Sequence, residues 1–272
     1  MELSFTTSAG LKIYGSIESA QENTRGVIIL IHGLGEHLGR YDDWVTRFNR
    51  EGFNVIRIDL PGHGKSEGKR GHIADFDLLD EIIDKIVLKA KDEFPGMPVV
   101  LYGHSLGGTI VLNHLLAKPE GINLSVVTSP WIKLSFEPPR SKMVLAGIVK
   151  NLLPSLVQET GLVPEHLSHD TENVKKYIED PMVHSKISVA LFTGVHNAAG
   201  KILERGSEID IQVLILHGRD DLITSPGGSS LLEQISPNVN LRVWDGGFHE
   251  LHNEPFKDEV FTEIVTWLKN NL

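Results

Sequence analysis

The sequence predicts an α/β fold built on a mostly parallel sheet covered by helices, and three observations carry that expectation. Eight short β-like runs recur, at residues 3–6, 11–17, 27–31, 54–58, 99–102, 124–128, 213–216 and 241–244. From residue 27 onward they are almost purely apolar, as strands buried on both faces must be. Helix-like stretches at 41–51, 76–94, 107–117 and 226–235 separate several of them, which is the alternation expected of a parallel sheet with helical crossovers.

Taken in order, the first two runs are joined by Ser8-Ala9-Gly10 and read as an antiparallel hairpin at one edge of the sheet. The run at 99–102 leads into Gly103-His104-Ser105-Leu106-Gly107-Gly108, and an apolar helical segment follows, ending near Lys118-Pro119. Between Ser129 and about Glu208 the alternation stops. That stretch reads as helices at 143–157, 171–178 and 185–206, broken by Pro138-Pro139, Pro154, Pro164 and Pro181, with no convincing strand. The expected organisation is therefore a core domain, residues 1–129 and 209–272, with a helical cap at 130–208 inserted after the sixth strand. The helix at 143–157 is too apolar for a single buried stripe. It either packs onto the core or lines an apolar substrate cleft as a lid. Glu254, Pro255 and the apolar run to Trp267 describe a final helix.

Composition narrows the classes. Of 272 residues, 40% are hydrophobic and 23% charged, and this is ordinary for a globular protein. A net charge of −10 without a long basic run argues against nucleic acid as a partner. The chain has no cysteine, so thiolate nucleophiles and cysteine-ligated metals are excluded. No cluster at ligand spacing suggests a metal, and no cofactor is expected. The start, Met-Glu-Leu-Ser-Phe, lacks both a basic beginning and an apolar run, so no signal peptide is expected. No stretch reaches the roughly 18 apolar residues of a membrane span, and the expected location is cytoplasmic.

The chemistry-bearing pattern is G-x-S-x-G, and it occurs twice. Gly64-Lys65-Ser66-Glu67-Gly68 lies in a polar, glycine-rich loop with no helix after it. Ser105 stands between a strand-like and a helix-like run, the context of a nucleophile elbow. A serine hydroxyl is a weak nucleophile, so it needs a general base, and the base needs an acid to fix its tautomer. In such folds the order is serine, acid, histidine. Downstream, Leu216-His217-Gly218-Arg219-Asp220-Asp221 and Trp244-Asp245-Gly246-Gly247-Phe248-His249 each follow a strand, at the ends where open α/β sheets gather their chemistry. Asp221 is assigned as the acid, with Asp220 the adjacent competitor, and His249 as the base; His252 reads as structural. Charge developing on a substrate oxygen needs preorganised donors. The Leu106 amide supplies one, and the Leu34 amide, in the Ile31-His32-Gly33-Leu34-Gly35 turn, is the choice for the second.

These residues resemble a known family. His32-Gly33-Leu34-Gly35-Glu36-His37, Gly39-Arg40-Tyr41, Asp59-Leu60-Pro61-Gly62-His63-Gly64-Lys65-Ser66, the Ser105 elbow, His217-Gly218-x-x-Asp221 and Gly246-Gly247-Phe248-His249 are similar to the monoacylglycerol lipase and lysophospholipase branch of the α/β-hydrolases. The resemblance implies the α/β-hydrolase fold and the aspartate of H-G-x-x-D as the acid, favouring Asp221. It also implies His104 and Arg40 as substrate contacts; a packed elbow histidine and a loop-stabilising salt bridge are the alternative roles. The implied activity is ester hydrolysis of monoacylglycerols through an acyl-enzyme, with transient membrane-surface contact through the cap. A lysophospholipase, a general carboxylesterase, a peptidase and a ligand-binding receptor on the same scaffold are the competing functions.

Overall fold

The structure is a computed structural model that describes residues 1–21, 23–117, 120–136, 147 and 149–272. Ten strands are present among them, and eight form one sheet in the order β1-β2-β4-β3-β5-β6-β9-β10. Strands β1 (Glu2–Thr6) and β2 (Lys12–Glu18) are the antiparallel edge hairpin, and β2 pairs antiparallel with β4 (Phe53–Ile58). From β4 onward, β3 (Gly26–Ile31), β5 (Val99–His104), β6 (Leu124–Thr128), β9 (Gln212–Gly218) and β10 (Val239–Trp244) pair parallel.

The central strands are mostly apolar because each face meets its own layer of helices, and side chains alternate between faces along a strand. In β3, Val27, Ile29 and Ile31 join a core with Ile82, Ile83 and Ile86 of α2 (Asp77–Glu93) and Ile110 of α3 (Leu106–Leu115). Ile28 and Leu30 point the other way, into a core with Trp44 and Phe48 of α1 (Asp42–Arg50) and with Phe261 and Ile264 of the C-terminal helix Lys257–Asn271. The chain runs from β3 out to β4 on one side, then crosses back past β3 to β5 on its other side. The loops after β3 and β5 therefore open side by side where the winding direction switches, the crevice in which such sheets bind ligands.

Between β6 and β9 the chain leaves the sheet, and here the expectation from sequence needs correction. Two short strands are present, β7 (Val157–Glu159) and β8 (Lys186–Ser188), paired antiparallel. Of the helix expected at 143–157, residues 147 and 149–152 are helical, while 143–146 and 148 lie outside the described residues. Pro154 follows, and a proline cannot continue a helix. The helix expected at 185–206 starts later, as α5 (Val189–Arg205), because Ser188 ends β8 and caps the helix by accepting from the Leu191 amide at 3.1 Å. Helix α4 (Thr171–Glu179) matches its expected span, capped by Asp170. Helix α6 (Pro226–Ile235) does likewise, and the C-terminal helix is α7. The Lys118-Pro119 end of the elbow helix lies outside the described residues.

Candidate active site

Ser105 is the one-residue turn between β5 and α3, with φ 52° and ψ −113°. This conformation costs a non-glycine residue about 1–3 kcal/mol, and the surroundings hold it. Its amide donates to the Thr128 carbonyl at 2.9 Å, and its carbonyl accepts from the Trp131 amide at 3.2 Å. A side chain at Gly103 would meet the Gly107 carbonyl at 2.5 Å, so strand and helix approach this closely only through glycine. The second G-x-S-x-G differs at every point. Ser66 is bound into its loop, its hydroxyl donating to the Asp59 carbonyl at 2.6 Å and accepting from the Tyr14 amide at 2.8 Å.

The loops after β9 and β10 bring Asp221 and His249 together. His249 Nδ1 lies 2.8 Å from Asp221 Oδ2, and both residues are buried. Asp221 Oδ1 accepts the amides of Ile223 at 2.8 Å and Thr224 at 3.0 Å. Asp220 is exposed, and Asp221 is the one of the two aspartates in contact with His249. Burial alone would raise the Asp221 pKa, but His249 and His217 more than offset it and hold the carboxyl far below the usual range. Burial lowers the His249 pKa, and the opposing attraction of Asp221, with Glu250 and Glu36, leaves it above its ordinary value. With Nδ1–H given to Asp221, the other ring nitrogen is free to accept a proton. The histidine loop is anchored by Ser129, whose hydroxyl donates to the His249 carbonyl at 2.7 Å.

Leu106 begins α3, so its amide is among the first N–H groups that no helical carbonyl can take. Leu34 lies in the β3 loop, half-buried, beside Ser105 on the wall of one cavity. Glu36 shapes that loop by accepting the Gly33 amide at 2.6 Å and the Tyr41 hydroxyl at 2.8 Å. Ser105 and His249 both open onto this cavity, whose volume is about 870 Å³. One part of its wall is apolar, with Trp131, Leu134, Leu156, Ile187, Val189 and Phe192; another carries Glu36, Arg40, His104, Tyr177 and Glu250.

His104 is on that wall with Nδ1 2.9 Å from Thr128 Oγ1, and burial, then His252 and His249, push its pKa well below the usual value. Arg40 donates to Glu36 at 2.8 Å and to both oxygens of Glu250 at 2.6 and 2.8 Å, and stacks over Tyr177. His252 is buried, stacked on Tyr41 at 4.9 Å, and held at a pKa of about 4, burial being the main cause. Sequence reasoning placed His217 only as part of the His217-Gly218-x-x-Asp221 motif, without a role, and did not reach Glu250 or Tyr177. An acid directly after the His249 position was the available signal for Glu250, and the four-residue spacing to Asp221, whose Oδ2 lies 3.2 Å from His217 Nε2, was the signal for His217; the contact of Tyr177 with Arg40 is tertiary. Among the described residues there is no group of three or more side chains arranged to hold a metal ion.

A chain with this sheet, elbow serine and buried histidine-carboxylate pair belongs to the α/β-hydrolases, and comparison with known proteins narrows the branch. Residues 22–256 match the family model described as serine aminopeptidase, S33. The chain is 30% identical over 274 residues to a monoacylglycerol lipase of Mycolicibacterium smegmatis, covering 100% of this chain and 98% of that protein. It is 33% identical over 252 residues to an uncharacterised abhydrolase domain-containing protein of Dictyostelium discoideum, covering 90% of this chain but 26% of that longer protein. The crystal structure of a monoacylglycerol lipase from Paleococcus ferrophilus superposes with a TM-score of 0.87 at 35% identity, covering 96% of this chain and 99% of that one. The chain is a member of the monoacylglycerol lipase branch of the α/β-hydrolases.

Proposed function

We propose that this protein hydrolyses the carboxylic ester of monoacylglycerols, releasing a fatty acid and glycerol, with Ser105 as nucleophile, His249 as base and Asp221 as its orienting acid. The observation that carries the reading is that the elbow serine and the aspartate-paired histidine open onto one cavity with an apolar wall. Its volume, about 870 Å³, lies toward the upper end of the roughly 300–1,000 Å³ of small-molecule sites.

In the first half-reaction His249 Nε2 takes the Ser105 proton as Oγ attacks the ester carbonyl carbon. The amides of Leu34 and Leu106 hold the oxyanion that forms. Collapse breaks the bond to glycerol, whose oxygen receives the proton from His249, and an acyl-Ser105 remains. Water then attacks the acyl carbon, again through His249, and the fatty acid departs as Ser105 regains its proton.

Residues 130–208 act in this reading as the cap over the acyl site. Exposed Leu152, Leu153, Leu156 and Phe136 provide an apolar surface for contact with the lipid phase that holds the substrate. Among the described residues no helix is long and apolar enough to cross a membrane. His104 and Arg40 belong to the polar wall that faces the alcohol.

The test is a comparison of kcat/KM for 1-lauroylglycerol, lauroyl-lysophosphatidylcholine, a short p-nitrophenyl ester and an aminoacyl arylamide. The monoacylglycerol should be the best of the four. Preference for lysophosphatidylcholine, or turnover of the arylamide alone, would overturn the reading, and saturable binding of the lipid without acid release would mark a receptor.

A further inference from the structure

The polar wall of the cavity holds more negative than positive charge, and the excess comes from a residue outside the acyl-transfer set. Arg40 is the sole cationic lysine or arginine among the described residues lining the cavity, and it faces two carboxylates, Glu36 and Glu250. All three side chains are at least nine-tenths buried. Both Glu36 oxygens accept, from the Gly33 amide, the Tyr41 hydroxyl and Arg40, an arrangement for a carboxylate with no proton to give. Burial would raise the Glu250 pKa, but the bidentate contact with Arg40 holds it far below the usual range. Of the neighbouring histidines, His104 and His252 add no compensating charge at neutral pH, since burial lowers both pKa values, and His249 is paired with its own carboxylate, Asp221.

Arg40 also offers a ligand anion only two of its five N–H donors. Its guanidinium is already committed to three carboxylate oxygens, and its face lies 4.8 Å from the Tyr177 ring centre. An incoming phosphate would have to share Arg40 with the two carboxylates already bonded to it, or displace Glu250 from its bidentate contact.

We infer that Glu250 is a specificity-determining residue which, by outnumbering Arg40 together with Glu36, makes the alcohol end of the cavity select uncharged headgroups and reject glycerol esters that carry a phosphate. The inference rests on the monoacylglycerol reading of the same site and adds to it the charge class of the alcohol. A phosphomonoester carries about −1.5 to −2 charge near neutral pH, and repulsion inside a cavity wall is screened far less than at the surface.

The experiment compares kcat/KM for 1-lauroylglycerol with that for 1-lauroylglycerol 3-phosphate, both below their aggregation concentrations, in the wild type and in Glu250→Gln. The wild type should prefer the neutral ester by at least about tenfold, and Glu250→Gln, which leaves Arg40 balanced by Glu36 alone, should shrink that ratio by about tenfold. Equal efficiency in the wild type, or an unchanged ratio in the variant, overturns the inference.

Glu250→Gln can lose stability, so a second arm uses the wild type only. Dodecyl phosphate and 1-O-dodecylglycerol are compared as competitive inhibitors of p-nitrophenyl ester hydrolysis. The anion should inhibit at least about tenfold more weakly; equal or stronger inhibition overturns the inference. If the wild type turns over neither laurate while cleaving the p-nitrophenyl ester, the monoacylglycerol reading fails, and the inhibitor arm still decides the charge preference.

Discussion

Replacing Asp221 by Asn changes one atom of the carboxylate, and the surroundings dictate which. Asp221 Oδ1 accepts two backbone amides, from Ile223 at 2.8 Å and Thr224 at 3.0 Å. Backbone amides can only donate, so the oxygen of the substituted side chain must stay there and its NH₂ group must take the place of Oδ2. That group then faces His249 Nδ1, 2.8 Å from the present Oδ2. Two donors cannot share the contact, so Nδ1 must become an acceptor and the His249 proton moves to Nε2. The histidine can then no longer take a proton from Ser105, and the negative charge that stabilises its protonated form is gone as well. The expected loss in kcat is about a thousand- to ten-thousand-fold, or roughly 4–5.5 kcal/mol of barrier. Initial-rate assays with 1-lauroylglycerol measure it, alongside thermal melts that verify folding. Asp220→Asn, at an exposed position, should retain wild-type rates. A folded Asp221→Asn that keeps more than about a tenth of kcat, or an equal loss in Asp220→Asn, would refute the reasoning.

Other perturbations separate chemistry from support. Because the base must be neutral and the net effect of burial and its acidic neighbours raises its pKa, kcat/KM should rise with pH through a value above 6.5; a profile flat from about pH 5 to 9 contradicts this. Ser66→Ala removes a hydroxyl that both donates to the Asp59 carbonyl and satisfies the Tyr14 amide. It should cost about 1–3 kcal/mol in urea unfolding while leaving turnover at the wild-type level. Arg40→Met leaves Glu36 and Glu250 buried without their cation, and should cost about 3–5 kcal/mol at neutral pH. Unpaired and buried, those carboxyls take up protons more readily, so the penalty should shrink as pH falls toward the ordinary carboxylate value of about 4.3. A penalty that grows on acidification would show that the ion network is not its source.

The sheet was legible in the sequence because its signal is local and repeated. Strands β3 to β6 and β9 are mostly apolar on both faces, and the helices between them carry their own pattern. The elbow could be separated from its decoy for a related reason: Ser105 is followed by an apolar helix and Ser66 by Lys69, Arg70 and Gly71. The inserted region was read less well. Strands β7 and β8 are three residues each and exist only because they meet across 26 intervening residues, so no window along the chain contains the reason for either. The polar wall escaped for the same cause. Glu36 and Arg40 sit four apart and share a loop, but Glu250, which completes the ion network, lies 210 residues beyond Arg40. Its position beside His249 was visible, whereas its bidentate grip on Arg40 is a property of the folded chain.

The central claim is that Ser105 carries the acyl group. It is tested most directly by incubating wild type and Ser105→Ala with 1-lauroylglycerol, following lauric acid release, and locating the acyl adduct by mass spectrometry after acid quench. The wild type should release acid and carry the lauroyl group on the peptide containing Ser105, and the variant should do neither. Hydrolysis at the wild-type rate by a folded Ser105→Ala, or an adduct on the peptide containing Ser66, would contradict the account.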